Sequence, residues 1–226
     1  MRKLALLALL SLPIFAGFFP DKVHTSVASV DGGVKIKKAL PLNGMSGIVV
    51  HNYGNEAQAI TSYIIQTNNN GTVTPMKRNA IYHPELPTIN TPIKVGDKVI
   101  GGFMYQNVLL LAPDATTYAR ITEKYNKNWI HPDLFALFLA VEGDDVPTRE
   151  NLSTFARQHQ VGLVMIIKKS QAVLLDPISG QIINQMSMSN MPANAQFPFF
   201  SRFDEIDSGW FSKKATGNFY DLMEKL

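Results

Sequence analysis

Cysteine is absent from the 226 residues. That excludes structural disulfides, thiolate metal sites, a cysteine nucleophile and a lipid anchor on an N-terminal cysteine. Charge is scarce as well: Asp, Glu, Lys and Arg make up 17% of the chain, and the formal net charge is +3. The pI near 9.0 overstates the excess. Of the 21 Lys plus Arg, Arg2 and Lys3 lie in a leader-like segment; without them 19 stand against 18 Asp plus Glu. Nucleic-acid binders carry a larger and more clustered excess, so no nucleic-acid partner is expected. The short basic runs Lys35, Lys37, Lys38 and Lys213-Lys214 lack the Arg and aromatic interleaving of a nucleic-acid groove. What is present, 46% hydrophobic residues with a mean hydropathy of 0.00, is the composition of a folded globular protein.

Catalytic signatures are missing too. The chain has no G-x-S-x-G, H-E-x-x-H, Walker loop or G-x-G-x-x-G. The five histidines, His24, His51, His83, His131 and His159, are too far apart for a local zinc spacing. Glu142, Asp144 and Asp145 cluster, but without the twelve-residue ligand pattern of a calcium loop. They read as a solvated helix end. Asp204, Glu205 and Asp207 read as polar positions around a buried Ile206. His131 reads as a helix cap or a packed ring, and His159 as a buried or half-buried core residue. No catalytic residue, metal or cofactor is expected.

Residues 1–16, MRKLALLALLSLPIFA, have the outline of a secretory signal peptide. Arg2 and Lys3 form the positive region, Leu4 to Phe15 the apolar core, and Ala16 the small residue at a cleavage point. The apolar run of about 12 residues is short of the ~20 needed to cross a bilayer. No later stretch is long and apolar enough to span. The expected product is an exported protein, periplasmic or on the outer surface.

From residue 17 to 112 the texture is β. Alternation on both sides of Asp31-Gly32-Gly33 predicts a hairpin over Val23–Lys37. Ile48-Val49-Val50, Ala59–Gln66 and Thr72–Thr74 read as strands, the last two separated by the turn Asn68–Gly71. Met76–Pro92 reads as a long loop, Val95–Val99 as a turn feeding a strand, and Phe103–Ala112 as another strand. Short strands at this spacing predict a small, curved, barrel-like unit.

From 113 to 226 helix and strand mix. Asp114 caps a helix over 115–125. His131-Pro132-Asp133 opens a second, apolar nearly all round and hence expected to be buried, which Gly143 ends. Thr148 caps a third, with Leu152, Phe155, Ala156 and His159 on one face. Val161–Ile167, Ala172–Asp176 and Gln181–Met186 then form a β-meander. The expected class is α+β: a barrel-like first half, then a sandwich-like half with helices on one face of a meander. The aromatic stretch 190–226 is expected to wrap back and seal the core.

Several blocks together resemble one family, the N-terminal domain of the plasminogen-binding protein PgbA of Helicobacter, Campylobacter and relatives. They are Gly44–His51, Trp129–Ala136, Val141-Glu142-Gly143 with Pro147-Thr148, and Pro198–Arg202 with Trp210-Phe211. The resemblance implies an exported envelope or surface protein whose partner is a protein: host plasminogen, or other envelope proteins. Plasminogen kringles recognise an ammonium held at a fixed distance from a carboxylate. That makes Lys225, Lys213 and Lys214 the candidate partner-binding residues. Lys225 stands one residue before Leu226, so removal of Leu226 would expose a terminal lysine. Two alternatives stay open: a scaffold component of an envelope machine, and a periplasmic enzyme with a site dispersed over His51, His131 and Glu142–Asp145.

Overall fold

The computed structural model describes residues 17–76, 91–203, 206 and 216–226. The leader-like residues 1–16, most of the long loop, Trp210-Phe211 and the pair Lys213-Lys214 lie outside them.

The first half closes into a six-stranded antiparallel barrel. Its strands are β1 (Val23–Ser29), β2 (Val34–Ile36), β3 (Ser46–Gly54), β4 (Ala57–Gln66), β5 (Thr72–Pro75) and β6 (Lys98–Gly101), in the order β1-β2-β5-β4-β3-β6. β6 pairs with both β3 and β1, so no edge is left open. Val27, Ile36, Val49, Ile64, Val73 and Val99 are buried, which is the period-two apolar set the sequence announces. Gln66 at the end of β4 is fully buried and satisfied. Its Oε1 accepts from Leu40 N–H at 2.6 Å, and its Nε2 donates to the Leu40 and Leu42 carbonyls. One amide thereby pins the segment that delivers Leu40 to the core.

The second half is a five-stranded mixed sheet of order β11-β10-β9-β7-β8. Its strands are β7 (Asn107–Leu111), β8 (Asn128–Ile130), β9 (Leu163–Ile167), β10 (Gln171–Asp176) and β11 (Gln181–Ser187). The helices are α1 (Ala115–Lys124), α2 (Pro132–Glu142), α3 (Arg149–His159) and α4 (Phe219–Lys225). β7 runs parallel to both β8 and β9. Val108–Leu111 and Leu163–Ile167 are fully buried, as strands covered on both faces must be.

Helix starts follow the chemistry of the sequence. The Asp114 carboxylate accepts from Thr117 N–H at 2.6 Å, and Thr148 and Asn151 form a reciprocal capping box. Gly143 ends α2 in the left-handed region.

Three expectations need correction. The strand expected over Phe103–Ala112 is regular only from Asn107; turns occupy 102–106, where Met104 has φ +67°. α2 is not buried all round: Leu134, Leu137 and Val141 are 46%, 54% and 76% exposed. They recur at i, i+3 and i+7, so they form one outward stripe. His159 is exposed; its ring stacks on Phe155 at 4.3 Å rather than entering the core. It stands at the last position of α3, where the helical face ceases to be covered.

The described rings of the aromatic stretch divide, and Phe203 is 45% exposed. Phe199 and Phe219 are fully buried and Tyr220 nearly so. Phe199 stacks on Phe135 at 5.5 Å, and Phe135 and Phe138 of α2 meet Phe155 of α3 at 5.0 and 5.4 Å. Such ring pairs add about 0.5–1.5 kcal/mol each beyond burial.

A single carboxylate joins the two halves. Asp176, at the end of β10, has no exposed surface. Its Oδ2 accepts from Ser46 N–H of β3 at 2.7 Å and from Tyr105 O–H at 2.6 Å. Its Oδ1 accepts from the N–H groups of Ile178 and Ser179 at 2.9 and 3.0 Å.

Candidate functional site

α4 carries the one sequence-nominated partner-binding residue that the described structure contains. Asn218 caps the helix, its Oδ1 accepting from the N–H groups of Tyr220 and Asp221. Phe219, Tyr220, Met223 and Leu226 turn inward, and the Tyr220 hydroxyl donates to the Pro192 carbonyl at 2.7 Å. That leaves Asp221, Glu224 and Lys225 outside. Glu224 is engaged: the Lys168 ammonium lies 3.5 Å from its carboxylate and 3.4 Å from its carbonyl oxygen. A cation at this end of the helix also suits the negative end of its dipole. Lys225 and Asp221 make no ion pair among the described residues. They are four residues apart on the solvent side, so an ammonium and a carboxylate project together, about 6 Å apart at their Cβ atoms. This arrangement can offer a cation and an anion to a partner at once. Leu226 is a core residue, 4% exposed.

The histidines and carboxylates of the dispersed-site alternative fall into separate clusters. His51 of β3 lies 2.6 Å from the Asp97 carboxylate, whose other oxygen accepts from Lys94 N–H. His131 caps α2, its Nδ1 accepting from Asp133 N–H at 3.2 Å. Asp133 in turn accepts from the backbone N–H and Nε of Arg202 at 2.8 and 2.6 Å. Burial pushes the Asp133 carboxyl up, but the Arg202 hydrogen bonds and the neighbouring positive charge outweigh it and hold it below its ordinary range. Glu142 and Asp144 are at the other end of α2, about 16 Å along an eleven-residue helix. There Asp144 accepts from the Asn151 side chain at 2.8 Å. His131 and the acidic cluster therefore do not meet in one site. No group of three or more His, Asp or Glu suited to a metal occurs among the described residues.

These observations give a protein with a sealed core, a charged outer face on α4 and an apolar stripe on α2. The family described as the N-terminal part of plasminogen-binding protein pgbA matches residues 22–225, nearly the whole described fold. The chain belongs to this family. Two curated relatives, both named plasminogen-binding protein PgbA, are similar to it. The protein of Helicobacter pylori strain J99 is 28% identical over 149 residues, covering 62% of this chain and 32% of that protein. That of strain 26695 is 26% identical over 193 residues, covering 80% of this chain and 42% of that protein. The chain thus matches less than half the length of these relatives. No solved structure matches it. The family-bearing blocks of the sequence fall on structural joints. Gly44–His51 leads into and forms most of β3, whose Ser46 meets Asp176, and Trp129–Ala136 runs from β8 into α2. No described helix is long and apolar enough to cross a membrane.

Sequence reading missed Asp176 as the joint and the outward stripe of α2. A signal existed for the first: Val173-Leu174-Leu175 runs unbroken into Asp176, so a carboxylate follows directly on a buried strand. The stripe carried no such signal, because it depends on which neighbours cover α2.

Proposed function

We propose that this chain is an exported, non-catalytic binding module of the bacterial cell envelope or surface, and that its partner is host plasminogen. The family match over residues 22–225 carries the reading. The names of both curated relatives support it. The chemistry on α4 fits: kringles read an ammonium together with a carboxylate, and Lys225 and Asp221 project from successive turns. Lys225, Lys213 and Lys214 are the contact residues in this reading. The leader-like residues 1–16 support export.

The test is capture of plasminogen by the protein expressed from its full-length gene with its own leader, with and without 6-aminohexanoate, a lysine analogue. Capture that the analogue abolishes supports the proposal. Absence of capture refutes the plasminogen part.

A scaffold role within the envelope has its own observation. The Leu134, Leu137 and Val141 stripe is an apolar surface suited to contact with a protein rather than with water. Envelope proteins recovered by cross-linking from a cysteine placed at position 137, in place of plasminogen, would favour that role.

A further inference from the structure

The barrel gathers lysines that the sequence scatters. Residues 22–38 and 94–101 hold Lys22, Lys35, Lys37, Lys38, Lys94 and Lys98 against Asp31 and Asp97, a formal +4 that exceeds the +3 of the whole chain. Strand pairing brings them to one outer wall. Ser26 of β1 pairs with Lys98 of β6 on one side, and on the other its carbonyl accepts from Lys37 N–H at 2.8 Å. Ser29 pairs with Lys35 of β2, and Lys38 N–H donates to the Thr25 hydroxyl at 2.9 Å. All six lysines are exposed. Lys35 and Lys37 stand about 7 Å apart along the chain, and Lys37 and Lys98 about 10 Å apart across β1. None of the six makes an ion pair among the described residues. The Lys98 ammonium has one long hydrogen bond, 3.5 Å to the Gln58 side chain. Of the two acids, Asp97 is buried, its carboxylate taken by His51 and by Lys94 N–H. Asp31 is therefore the one exposed carboxylate in these two segments.

Two exposed valines stand at the rim of the same wall. Val95 is 61% exposed and Val30, just past the end of β1, 37%. The segments that carry them are tied: Gly96 N–H donates to the Val27 carbonyl, and Val27 N–H to the Asp97 carbonyl. Lys94-Val95-Gly96-Asp97 is a tight turn, closed by Asp97 N–H to the Lys94 carbonyl at 3.1 Å, with Gly96 at φ +93°. The Asp97 carboxylate braces it, accepting from Lys94 N–H at 2.8 Å and meeting His51 at 2.6 Å. Val95 is thereby held at the tip, flanked in sequence by Lys94 and Lys98. The turn itself does not ask for a β-branched apolar residue there; such a position ordinarily carries Pro or a polar residue.

The combination selects the partner. Ammonium groups spread over a barrel wall make a field rather than a pocket, and neither segment has an arginine fork with which to grip a single phosphate. A soluble polyanion would meet the charge but leave Val95 and Val30 in water. The surface of an anionic bilayer meets both, with phosphates for the lysines and an apolar phase just beneath for the valines. We propose that this wall of the barrel docks the protein on a membrane surface rich in anionic phospholipid, with the Lys94–Asp97 turn entering the headgroups. The contact is peripheral and needs no spanning segment. It is independent of the α4 surface and of plasminogen.

Flotation of the full-length-gene product with vesicles tests it. The vesicles are phosphatidylglycerol and phosphatidylethanolamine in equal parts, with phosphatidylcholine alone as the uncharged match. The protein is expected to float with the first and not with the second. Binding should fall away as salt rises from about 0.1 to about 1 M, because the screening length shrinks from about 10 to about 3 Å. A Lys35→Gln, Lys37→Gln, Lys94→Gln, Lys98→Gln variant should bind about 100-fold more weakly or worse, at roughly fivefold per lysine. Its melting temperature should not change, because all four side chains are exposed and unpaired. Val95→Ser should weaken binding about fivefold and leave the salt dependence as it was. Leu137→Gln, on the α2 stripe, should change nothing. Equal binding to both kinds of vesicle, binding indifferent to salt, or full binding by the lysine variant would overturn the proposal. So would no binding up to about 5 mM lipid. Retention on heparin together with an ineffective Val95→Ser would make the wall a contact for soluble polyanions, and loss of flotation in Leu137→Gln would move the contact to α2; either result overturns the membrane reading.

Discussion

Replacing Asp176 with alanine would leave four donors facing a hole where the two halves of the protein meet. Two of them are buried: the N–H of Ser46 (4% exposed) and the hydroxyl of Tyr105 (2% exposed). The Ile178 and Ser179 N–H groups are in a half-buried turn and can be rehydrated. Two buried orphans at about 1–3 kcal/mol each, less the relief of no longer burying a charge, give a net loss of about 2–4 kcal/mol. That is a large fraction of a typical ~5–15 kcal/mol stability. In urea, with a slope near ~2 kcal/mol per M, the midpoint should fall by about 1–2 M. Tyr105→Phe should cost less, and the double variant less than the sum of the two, because the same hydrogen bond is removed in both. The pH dependence has a definite sign. Burial pushes the Asp176 carboxyl above its ordinary range, against the pull of its four donors. The native state therefore holds the proton more tightly than the unfolded chain. The stability this contributes is full below the ordinary carboxyl pKa of 3.8 and is lost as pH rises through the native one. Asp176→Asn has no such titration, so its deficit against the parent should be larger near about pH 4 than at neutral pH. An unchanged urea midpoint for Asp176→Ala, or strict additivity with Tyr105→Phe, would refute the reasoning.

Gly162→Ala should destabilise by about 2–3 kcal/mol, because the added carbon would meet the Met104 backbone rather than a side chain that can yield; thermal unfolding reads the loss. Arg202→Ala should cost about 0.5–1.5 kcal/mol at neutral pH, since Arg202 is largely exposed and screening weakens its pair with Asp133. Asp133 is held below its ordinary range, so this contribution is present above the unfolded carboxyl pKa and disappears as pH falls through the native one. Urea midpoints of parent and variant should therefore converge as pH falls below the ordinary carboxyl range.

The barrel was legible because its strands alternate on a period of two and its turns carry Gly and Asn at the required places. The helix starts were legible for the same local reason: Asp114, His131-Pro132 and Thr148 each state a cap in their own chemistry. β8 was not predicted, since three residues carry no period and it exists only because it pairs with β7. The turn at 102–106 was read as strand because its apolar residues resemble one, although it is closed locally by the Tyr105 N–H bond to the Gly102 carbonyl at 3.1 Å. The apolar residues of α2 pointed to a buried helix; Leu134, Leu137 and Val141 show that composition cannot say which side a fold leaves uncovered. His159 followed the periodic face of α3 but fell at its end, beyond the cover. Lys225 was nominated from its place in the sequence, and the described fold adds Asp221 beside it.

The most direct test of the binding account is surface plasmon resonance of plasminogen over the protein expressed from its full-length gene, compared with a Lys213→Ala, Lys214→Ala, Lys225→Ala variant. The account predicts binding by the parent, its abolition by 6-aminohexanoate, and at least a tenfold loss in the variant with its melting temperature unchanged. Binding that ignores both the analogue and the three lysines, or no binding at all, would contradict it.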